Sequence, residues 1–399
     1  MGGAELLFIR CALYLADIES FDVYYVDYKK GFSREYLSLN NKINYIDYSN
    51  DNLLKLPSES LVIFQLDSIT YYEKLLISPS SYKYLFWGIN PMNLVGQIEI
   101  VPTNYFSVGE RKRKQIGVHI SRLIERGVIK FMDHNNFYVA SKTFYLNSSK
   151  NCFLPVSIDN FKMPKFPKAR VSESSISFLW IGRLDNDKLN TIITFMNELE
   201  LFKKTLNVIL YIVGSGAIQE KLERYSRNLN YKVVFLGRLR GASLDDIIDN
   251  KIDIGLGMGL SSLEIARRGR PVIVQGFLNK AYKAHVKHDY QCLNDITGYD
   301  VVSPGYYIND KINYFYDLVN KILNEYSLYS VACAQHVFEN FSLQYVGPKV
   351  VDAIDEVYNN WNLSCLEEIR SIKYHFQETK LKQIIRRILR KLFVCFGNV

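Results

Sequence analysis

The stretch "DIGLGMGLSSLEIARRGRPVIV", Asp253 to Val274, decides the fold class of this chain. Its apolar start predicts a strand that ends near Gly257, and Ser261 or Ser262 is expected to cap a short helix. The segment "PVIV" predicts the next strand. A strand, a loop, a helix and a second strand in this order are typical of a parallel α/β sheet.

The same alternation of strand-like and helix-like segments continues on both sides of this unit. In the first half, short aromatic and β-branched runs predict strands at "FDVYYVDY", "LVIFQL", "YKYLFWG", "VIKFMD" and "CFLPVSI". In the second half the runs are almost continuously apolar, as expected when helices cover both faces of a sheet: "ISFLWIG", "VILYIVG", "VVFLG", "DIGLG" and "PVIV". From about Asn309 the pattern is helical.

Length and composition predict two domains. With 399 residues, of which 48% are hydrophobic, the chain can bury two cores. A Lys/Pro/Ser stretch with little apolar periodicity predicts a linker at 158–175. We therefore expect Rossmann-like domains at 1–157 and 176–340, followed by a helical C-terminal region at 341–399.

Several classes of protein are disfavoured by the sequence. No run of about 18 uncharged apolar residues is present, and the first residues lack the basic start of a signal peptide, so a cytoplasmic location is expected. The six cysteines form no C-x-x-C motif and the six histidines no H-x-x-x-H motif, which argues against a disulfide framework and against a structural metal site.

The net charge of +8 is concentrated near the C-terminus. Lys380–Lys391 contributes +6, which leaves +2 for the rest of the chain. Apolar residues recur there at helical spacing, at Leu381, Ile384, Ile385, Ile388 and Leu392. This basic amphipathic helix either packs on its own domain or attaches 380–396 to an anionic membrane surface. A nucleic-acid partner is not expected, since no motif for nucleic-acid binding is present.

The loops that follow the second-half strands hold the candidate binding residues, because ligands of open α/β sheets bind at the carboxyl ends of strands. Arg183 and Lys188 lie on one such loop, where two cations can hold a diphosphate. An ordinary charged surface loop is the alternative. Gly214 and Gly216 allow a tight turn from strand to helix.

The stretch from Asp253 to Val274 adds a second candidate group. The backbone amides from Gly259 to Leu263 can cradle a phosphate at a helix start, and Glu264 can accept hydrogen bonds from ribose hydroxyls. Glu264 is alternatively an exposed carboxylate that complements the helix dipole.

In order and spacing, these segments resemble glycosyltransferase family 4, retaining sugar transferases of GT-B architecture. The similar segments are "FLWIGRLDNDK", "LYIVGSG", "VVFLGRL" and "LSSLEIARRGRPVIV" within residues 176–275, together with "GGAELLFIRCALYLA" at the start. The resemblance implies that Arg183 and Lys188 hold the donor diphosphate and Glu264 the ribose, without a metal ion. It places the nucleotide against Gly182, Gly214, Gly237, Arg238, Gly259, Leu260, Ser261, Ser262 and Leu263, and it places Gly2 and Gly3 on the acceptor side.

The sequence departs from the family pattern in two places. The family's further glutamate, eight positions before Glu264, is replaced by Leu256, and the loop resembles the "M-G-x-S-x-L-E" form found in bacterial polysaccharide glycosyltransferases. The family's first strand precedes the G-G-A-E turn, whereas here only Met1 does, so either the start of the sequence is assigned late or the first sheet is expected to lack a central strand. "DND", Asp185–Asp187, matches the D-x-D signature of metal-dependent GT-A transferases, but it lies inside the predicted diphosphate loop and we discount it.

Candidates for the acceptor side lie in the first half. Trp87, Asn90 and Asn93 follow one predicted strand, and Asp133 and His134 follow another. The resemblance implies that His134 can bond the transferred sugar, although a surface histidine is the more ordinary interpretation.

Together these patterns predict a GT-B protein of two Rossmann-like domains facing a cleft. We expect a membrane-peripheral glycosyltransferase that needs no cofactor and transfers a sugar from a nucleotide sugar to a growing, lipid-linked bacterial surface glycan. Two alternatives stay open: a GT-B-fold nucleotide-sugar epimerase, and a non-catalytic sugar-nucleotide-binding or scaffold protein.

Overall fold

The structure is a computed structural model. It describes residues 3–37, 40–49, 52–95, 109–147, 152–164, 167–202, 206–276, 278, 280–282, 290–302 and 314–376. The chain forms two compact units, each described here by itself. The six-strand unit comprises Met1–Phe21, Glu35–Leu39 and Val156–Gly347. The five-strand unit comprises Asp22–Arg34, Asn40–Pro155 and Pro348–Val399.

Strands and helices alternate along most of the chain. The strands are β1 (Val23–Tyr28), β2 (Ile43–Tyr48), β3 (Leu61–Gln65), β4 (Lys83–Gly88), β5 (Ile129–Phe131), β6 (Ser175–Ile181), β7 (Asn207–Val213), β8 (Lys232–Gly237), β9 (Ile254–Gly257), β10 (Val272–Val274) and β11 (Gln291–Cys292). The helices are α1 (Gly3–Ala16), α2 (Ser33–Leu37), α3 (Met92–Val95), α4 (Glu110–Glu125), α5 (His134–Phe144), α6 (Leu189–Leu199), α7 (Gln219–Ser226), α8 (Gly241–Lys251), α9 (Leu260–Ala266), α10 (Phe315–Asn324), α11 (Tyr326–Phe341) and α12 (Leu343–Asn360). A further helix covers residues 363–376.

The six-strand unit is built on one sheet with the order β11-β10-β9-β6-β7-β8. All neighbouring strands are parallel except β10 and β11, which are antiparallel. The strands are rich in apolar residues because helices cover the sheet, and the core contains large aromatic side chains. Those fully buried include Phe178, Trp180, Phe195, Phe202 and Phe315. The prediction that Asp253–Val274 belongs to a parallel α/β sheet is confirmed.

The strand order reverses direction in the middle of this sheet. From β6 the chain proceeds outward through β7 and β8, and it then returns to the other side of β6 with β9 and β10. The loops after β6 and β9 therefore flank the point where the order reverses, which is where open α/β sheets bind ligands. Arg183 and Lys188 follow β6, and Glu264 follows β9.

The five-strand unit contains two parallel sheets, β1-β2 and β3-β4-β5. Within the described residues, no strand joins the two. The sequence patterns did not predict strand β2. The predicted strand "CFLPVSI" is wrong, since Phe153 and Ile158 make only isolated bridges. Pro155 between them has no N–H to donate to a ladder, which explains the interruption.

The compact units differ from the predicted domain boundaries at both ends of the chain. Residues 1–21 join the six-strand unit, although the prediction placed 1–157 together. Helix α1 lies there because its buried face, which includes Leu7, Cys11 and Leu15, packs within that unit. The predicted helical region 341–399 is divided between the units after Gly347.

The C-terminal part of the described chain is helical, as expected, and ends in the helix at 363–376. The predicted membrane-binding segment 380–396 lies outside the described residues. Among the residues that are described, no helix has the length and apolar character needed to span a bilayer. Five cysteines fall in the described part, and all are buried free thiols.

Candidate functional site

The loop between β6 and α6 carries two cations with different surroundings. The Arg183 side chain is 58% exposed, and its Nη1 lies 3.2 Å from Asp185 Oδ2. The Lys188 side chain is only 15% exposed, and its Nζ lies 3.6 Å from Asp187 Oδ2. Burial lowers the pKa of Lys188, against the opposing effect of Asp187. A dianionic ligand at this loop would therefore relieve an unfavourable charge.

Lys188 also connects the loops that flank the reversal of strand order. Its Nζ lies 3.7 Å from the Sδ of Met258, the residue that follows β9. The loop with Arg183 and Lys188 therefore lies beside the stretch from Asp253 to Val274, although Lys188 and Met258 are 70 residues apart in the sequence. The structure brings together the two groups that sequence patterns had singled out separately.

Glycines pack the neighbouring loops closely. Gly214 follows β7 with a φ of 142°, and a Cβ there would overlap the carbonyl oxygen of Gly182. The amide of Gly214 donates to the carbonyl of Gly237 at 2.7 Å. Gly182, Gly214 and Gly237 therefore form adjacent turns at the carboxyl edge of the sheet, as expected. Arg238 Nε donates to Ser215 Oγ at 2.6 Å, which holds its side chain over the β7 turn.

The start of α9 differs from the predicted arrangement. Gly259, with a φ of 66°, precedes the helix, so the predicted serine cap is wrong. Ser261 Oγ instead donates to the carbonyl of Met258 at 2.9 Å. The Gly259 amide was expected to face a phosphate, but it donates to the carbonyl of Val301 at 2.8 Å. Ser262 lies in the first turn, where its amide donates to the Gly259 carbonyl at 3.1 Å.

Glu264 makes two ion pairs through different carboxylate oxygens. Its Oε1 accepts from Arg10 Nη2 at 2.7 Å, and its Oε2 accepts from Arg267 Nε at 2.7 Å. The side chain is 18% exposed. Sequence reasoning missed Arg10, which lies 254 positions away. The one available signal was a charged residue within the apolar run of α1.

Helix α1 reaches α9 at its first residue as well. A Cβ on Gly3 would lie 2.8 Å from Leu260 Cδ1, so a larger residue would require the leucine to shift. The resemblance had placed Gly3 on the acceptor side, and the structure places it against the first residue of α9. Leu263 is buried within the same helix. Gly2 lies outside the described residues.

Two carboxylates of the "DND" segment, those of Asp185 and Asp187, each pair with a cation. Asp185 pairs with Arg183 and Asp187 with Lys188, as described above. Within the ranges that the structure describes, no group of three or more His, Cys, Asp or Glu side chains is arranged to hold a metal ion.

Two of the acceptor-side candidates in the five-strand unit have structural roles. Trp87 lies inside β4 and is 1% exposed, and its Nε1 donates to the carbonyl of Leu154 at 2.8 Å. It is therefore a core residue within the strand, and its predicted place on the loop after the strand is wrong. Asn90 is exposed and Asn93 Oδ1 accepts from its amide at 2.9 Å, which closes the turn before α3.

His134 is the first residue of α5, in the five-strand unit. Its ring packs against Phe153 with centroids 4.1 Å apart, and it is neither fully exposed nor buried. The preceding Asp133 caps the helix by accepting from the Asn136 amide at 2.7 Å. The contact with Phe153 fixes the ring at a helix start.

The chain matches solved structures of glycosyltransferases. A glycosyltransferase from Rickettsia africae is 14% identical, with 90% of this chain and 96% of that one covered and a TM-score of 0.53. AviGT4, a glycosyltransferase involved in avilamycin A biosynthesis, is 9% identical over 90% of each chain, with a TM-score of 0.49. S. aureus TarM, bound to UDP, fondaparinux and α-GlcNAc-glycerol, is 13% identical over 75% of this chain, with a TM-score of 0.44.

The fold is assigned from the similarity to the Rickettsia structure. The chain has an α/β fold of the GT-B type, with parallel sheets and a helical C-terminal stretch. It spans about half the length of TarM, 55% of that chain. No family model matches the sequence. No curated protein matches it either.

Proposed function

We propose that this chain is a glycosyltransferase that transfers a sugar from a nucleoside-diphosphate sugar. The observation that carries the proposal is the position of Lys188, whose ammonium group lies beside Met258 where the strand order of the sheet reverses. Arg183 on the same loop supplies a second cation. Departure of a nucleoside diphosphate leaves negative charge on its terminal phosphate, and fixed cations stabilise that charge in the transition state.

Lys188 is suited to this task by its environment. Burial lowers its pKa and therefore destabilises the ammonium form in the free protein. A diphosphate would replace the missing hydration and restore the charged form. Arg183 is mostly exposed and can reorient from Asp185 onto a phosphate with its planar fork. We propose that these cations act without a metal ion.

The nucleoside is proposed to lie along the neighbouring loops. The carboxylate of Glu264 accepts the ribose hydroxyls, and the turn at Gly237 and Arg238 approaches the base. The glycine turns support this arrangement because their lack of side chains lets a ligand approach the backbone closely. The Gly259 amide does not take part, since it is bonded to Val301.

The acceptor is proposed to be a growing, lipid-linked bacterial surface glycan, and transfer is proposed to retain the anomeric configuration. Both statements rest on the resemblance to family 4 of the glycosyltransferases. The five-strand unit would bind this acceptor, with His134 at the sugar. The basic segment 380–396 would hold the enzyme at the anionic cytoplasmic face of a membrane, where a lipid-linked acceptor is located.

One observation favours the non-catalytic alternative. Leu256 occupies the position of the family's sugar-contacting glutamate, and it is 1% exposed in β9. No carboxylate can reach the donor sugar from that position. A protein that bound the nucleotide sugar without transferring the sugar would keep the diphosphate loop and lose this glutamate.

The proposal is tested by incubating the protein with UDP-, GDP- and ADP-sugars and a panel of octyl glycosides as acceptors. A transferase releases free nucleoside diphosphate and lengthens one glycoside, both detected by mass spectrometry. An epimerase converts the sugar nucleotide to an isomer without an acceptor. A scaffold protein binds the sugar nucleotide in calorimetry and turns over none of it. A protein that binds no sugar nucleotide contradicts the proposal and both alternatives.

A further inference from the structure

A buried arginine, Arg10 of α1, contacts the carboxylate that is proposed to receive the ribose. Its Nη2 donates to Glu264 Oε1 at 2.7 Å. All three nitrogens of the guanidinium are engaged, since Nε and Nη2 each donate to Asp159 at 3.0 Å and Nη1 donates to the carbonyl of Ser157 at 3.0 Å. The arginine is therefore held in one orientation from two sides.

This contact differs from a surface ion pair. Arg10 is 5% exposed, whereas surface pairs are solvated and contribute little. Burial of the guanidinium opposes its charge, but the carboxylates of Glu264 and Asp159 outweigh that effect and raise the pKa of Arg10. The group is charged at every pH at which the protein would work. A positively charged guanidinium therefore always lies beside one oxygen of Glu264.

Packing alone does not explain an arginine at this position. The neighbouring buried residues of α1 are apolar, among them Leu7, Ile9, Cys11 and Ala12. Apolar side chains of similar volume in place of a whole buried ion pair are often neutral or stabilising, because no charge is then removed from water, so filling this space does not require a charge. The charge therefore serves its carboxylate partners, and one of these, Glu264, lies on α9, the helix that follows β9 beside the Lys188 loop.

The other oxygen of Glu264 is fixed by Arg267, whose Nε lies 2.7 Å from Oε2. An ionised carboxylate has about four acceptor positions, and the two arginines occupy two of them. The side chain is still 18% exposed, so a ligand can reach it from solvent. Two fixed cations hold the carboxylate in one orientation and leave it open to further donors.

We propose that Arg10 is a positioning residue for nucleotide recognition, which orients the Glu264 carboxylate so that it selects ribose over 2′-deoxyribose. This inference rests on the proposed function, because it assigns Arg10 to the same site. Arg10 does not touch the nucleotide. It acts through Glu264, and Asp159 acts one step further away by holding Arg10.

The test is the affinity ratio between ribo- and 2′-deoxynucleotides, measured by titration calorimetry. UDP, GDP and ADP are titrated into the full chain, and the tightest binder is compared with its 2′-deoxy form. Wild type is expected to prefer the ribonucleotide. In Arg10→Gln the ratio should fall about fivefold, the loss expected when a charge-assisted hydrogen bond is misaligned. Arg10→Lys keeps the charge without the planar fork and should lie between the two.

Arg268→Gln is the matched control. Arg268 follows α9, pairs with Asp249 and with Asp245, and makes no hydrogen bond to Glu264 in the described contacts, so its loss removes a helix-end arginine without removing a hydrogen bond from the Glu264 carboxylate. Its ratio should equal that of wild type. A defect that is only structural would lower the melting temperature and the affinity for both nucleotides equally, and the ratio would not change.

If Arg10→Gln does not fold, Asp159→Asn decides the question. The Asp159 side chain is 61% exposed, so its replacement is tolerated better, yet it releases one side of the Arg10 fork. The ratio should again fall. An unchanged ratio in every folded variant, or tighter ribonucleotide binding after loss of Arg10, overturns the inference while the proposed function stands. A wild-type protein that binds none of the nucleotides overturns both.

Discussion

Lys188 Nζ lies 3.7 Å from Met258 Sδ, which joins the loop after β6 to the loop after β9. This contact lies between the two strands where the order of the sheet reverses. It connects a candidate diphosphate-binding loop with the helix that carries Glu264. The proposed function depends on this arrangement.

Removing the Lys188 charge should slow sugar transfer. For Lys188→Ala we expect turnover to fall about tenfold or more, because a lost charge contact to the leaving diphosphate is worth about 1.5–3 kcal/mol. The measurement is kcat for nucleoside diphosphate release. Lys251→Ala, at the exposed end of α8, is the matched control and should keep wild-type activity. Equal rates for both variants would contradict the assigned role.

The lowered pKa of Lys188 predicts a pH dependence of diphosphate affinity. Burial favours the neutral amine in the free protein, whereas a bound diphosphate favours the ammonium form. The contribution of Lys188 to affinity is therefore constant below its lowered pKa. It falls as pH rises from there toward the higher pKa of the complex, with proton uptake on binding. Calorimetry in buffers of different ionisation enthalpy measures both. Lys188→Arg should abolish the decline, and a decline that persists would show that another group titrates.

Activity should persist when divalent metal ions are removed. The proposed site stabilises the diphosphate with Arg183 and Lys188, so excess EDTA is expected to leave kcat unchanged. The assay compares untreated, chelated and Mn²⁺-supplemented protein. Loss of activity that Mn²⁺ restores would instead support a metal-binding role for Asp185 and Asp187.

Gly214 should be intolerant of any side chain. Its φ of 142° is unfavourable for other residues, and a Cβ would overlap the Gly182 carbonyl oxygen. Gly214→Ala is therefore expected to lower the free energy of unfolding by about 2–4 kcal/mol. Gly109, before α4, has no atom within 4 Å of an added Cβ, so Gly109→Ala should change it by less than about 1 kcal/mol. Chemical denaturation gives both values, and equal effects would contradict the packing described.

The α/β alternation could be predicted because it depends on local patterns. The strands β6 to β10 are apolar runs that end at glycines, so their positions were clear from the sequence. Strand β2 was missed because its exposed residues are Asn44 and Asp47, which are unfavourable in strands. The strand predicted at 152–158 had the right residue types, but Pro155 interrupts it.

The candidate site was predicted only in part, because its remaining features depend on long-range contacts. Local sequence singled out the two cations and Glu264 as candidates. It could not show that Arg10 reaches Glu264 or that the Gly259 amide is taken by Val301, since those partners are distant in the chain. Trp87 was misplaced because a tryptophan near a strand end can face either the core or solvent.

The central claim is that this chain binds a nucleoside-diphosphate sugar through Glu264. The most direct test titrates the preferred nucleoside diphosphate into wild type and into Glu264→Gln. A melting curve of each protein is measured beside the titration. A neutral amide accepts weaker hydrogen bonds than a carboxylate, so we expect Glu264→Gln to lose about 1–2 kcal/mol of binding free energy with its fold retained. A lower melting temperature with unchanged nucleotide affinity would contradict the claim and show that Glu264 serves only its ion pairs.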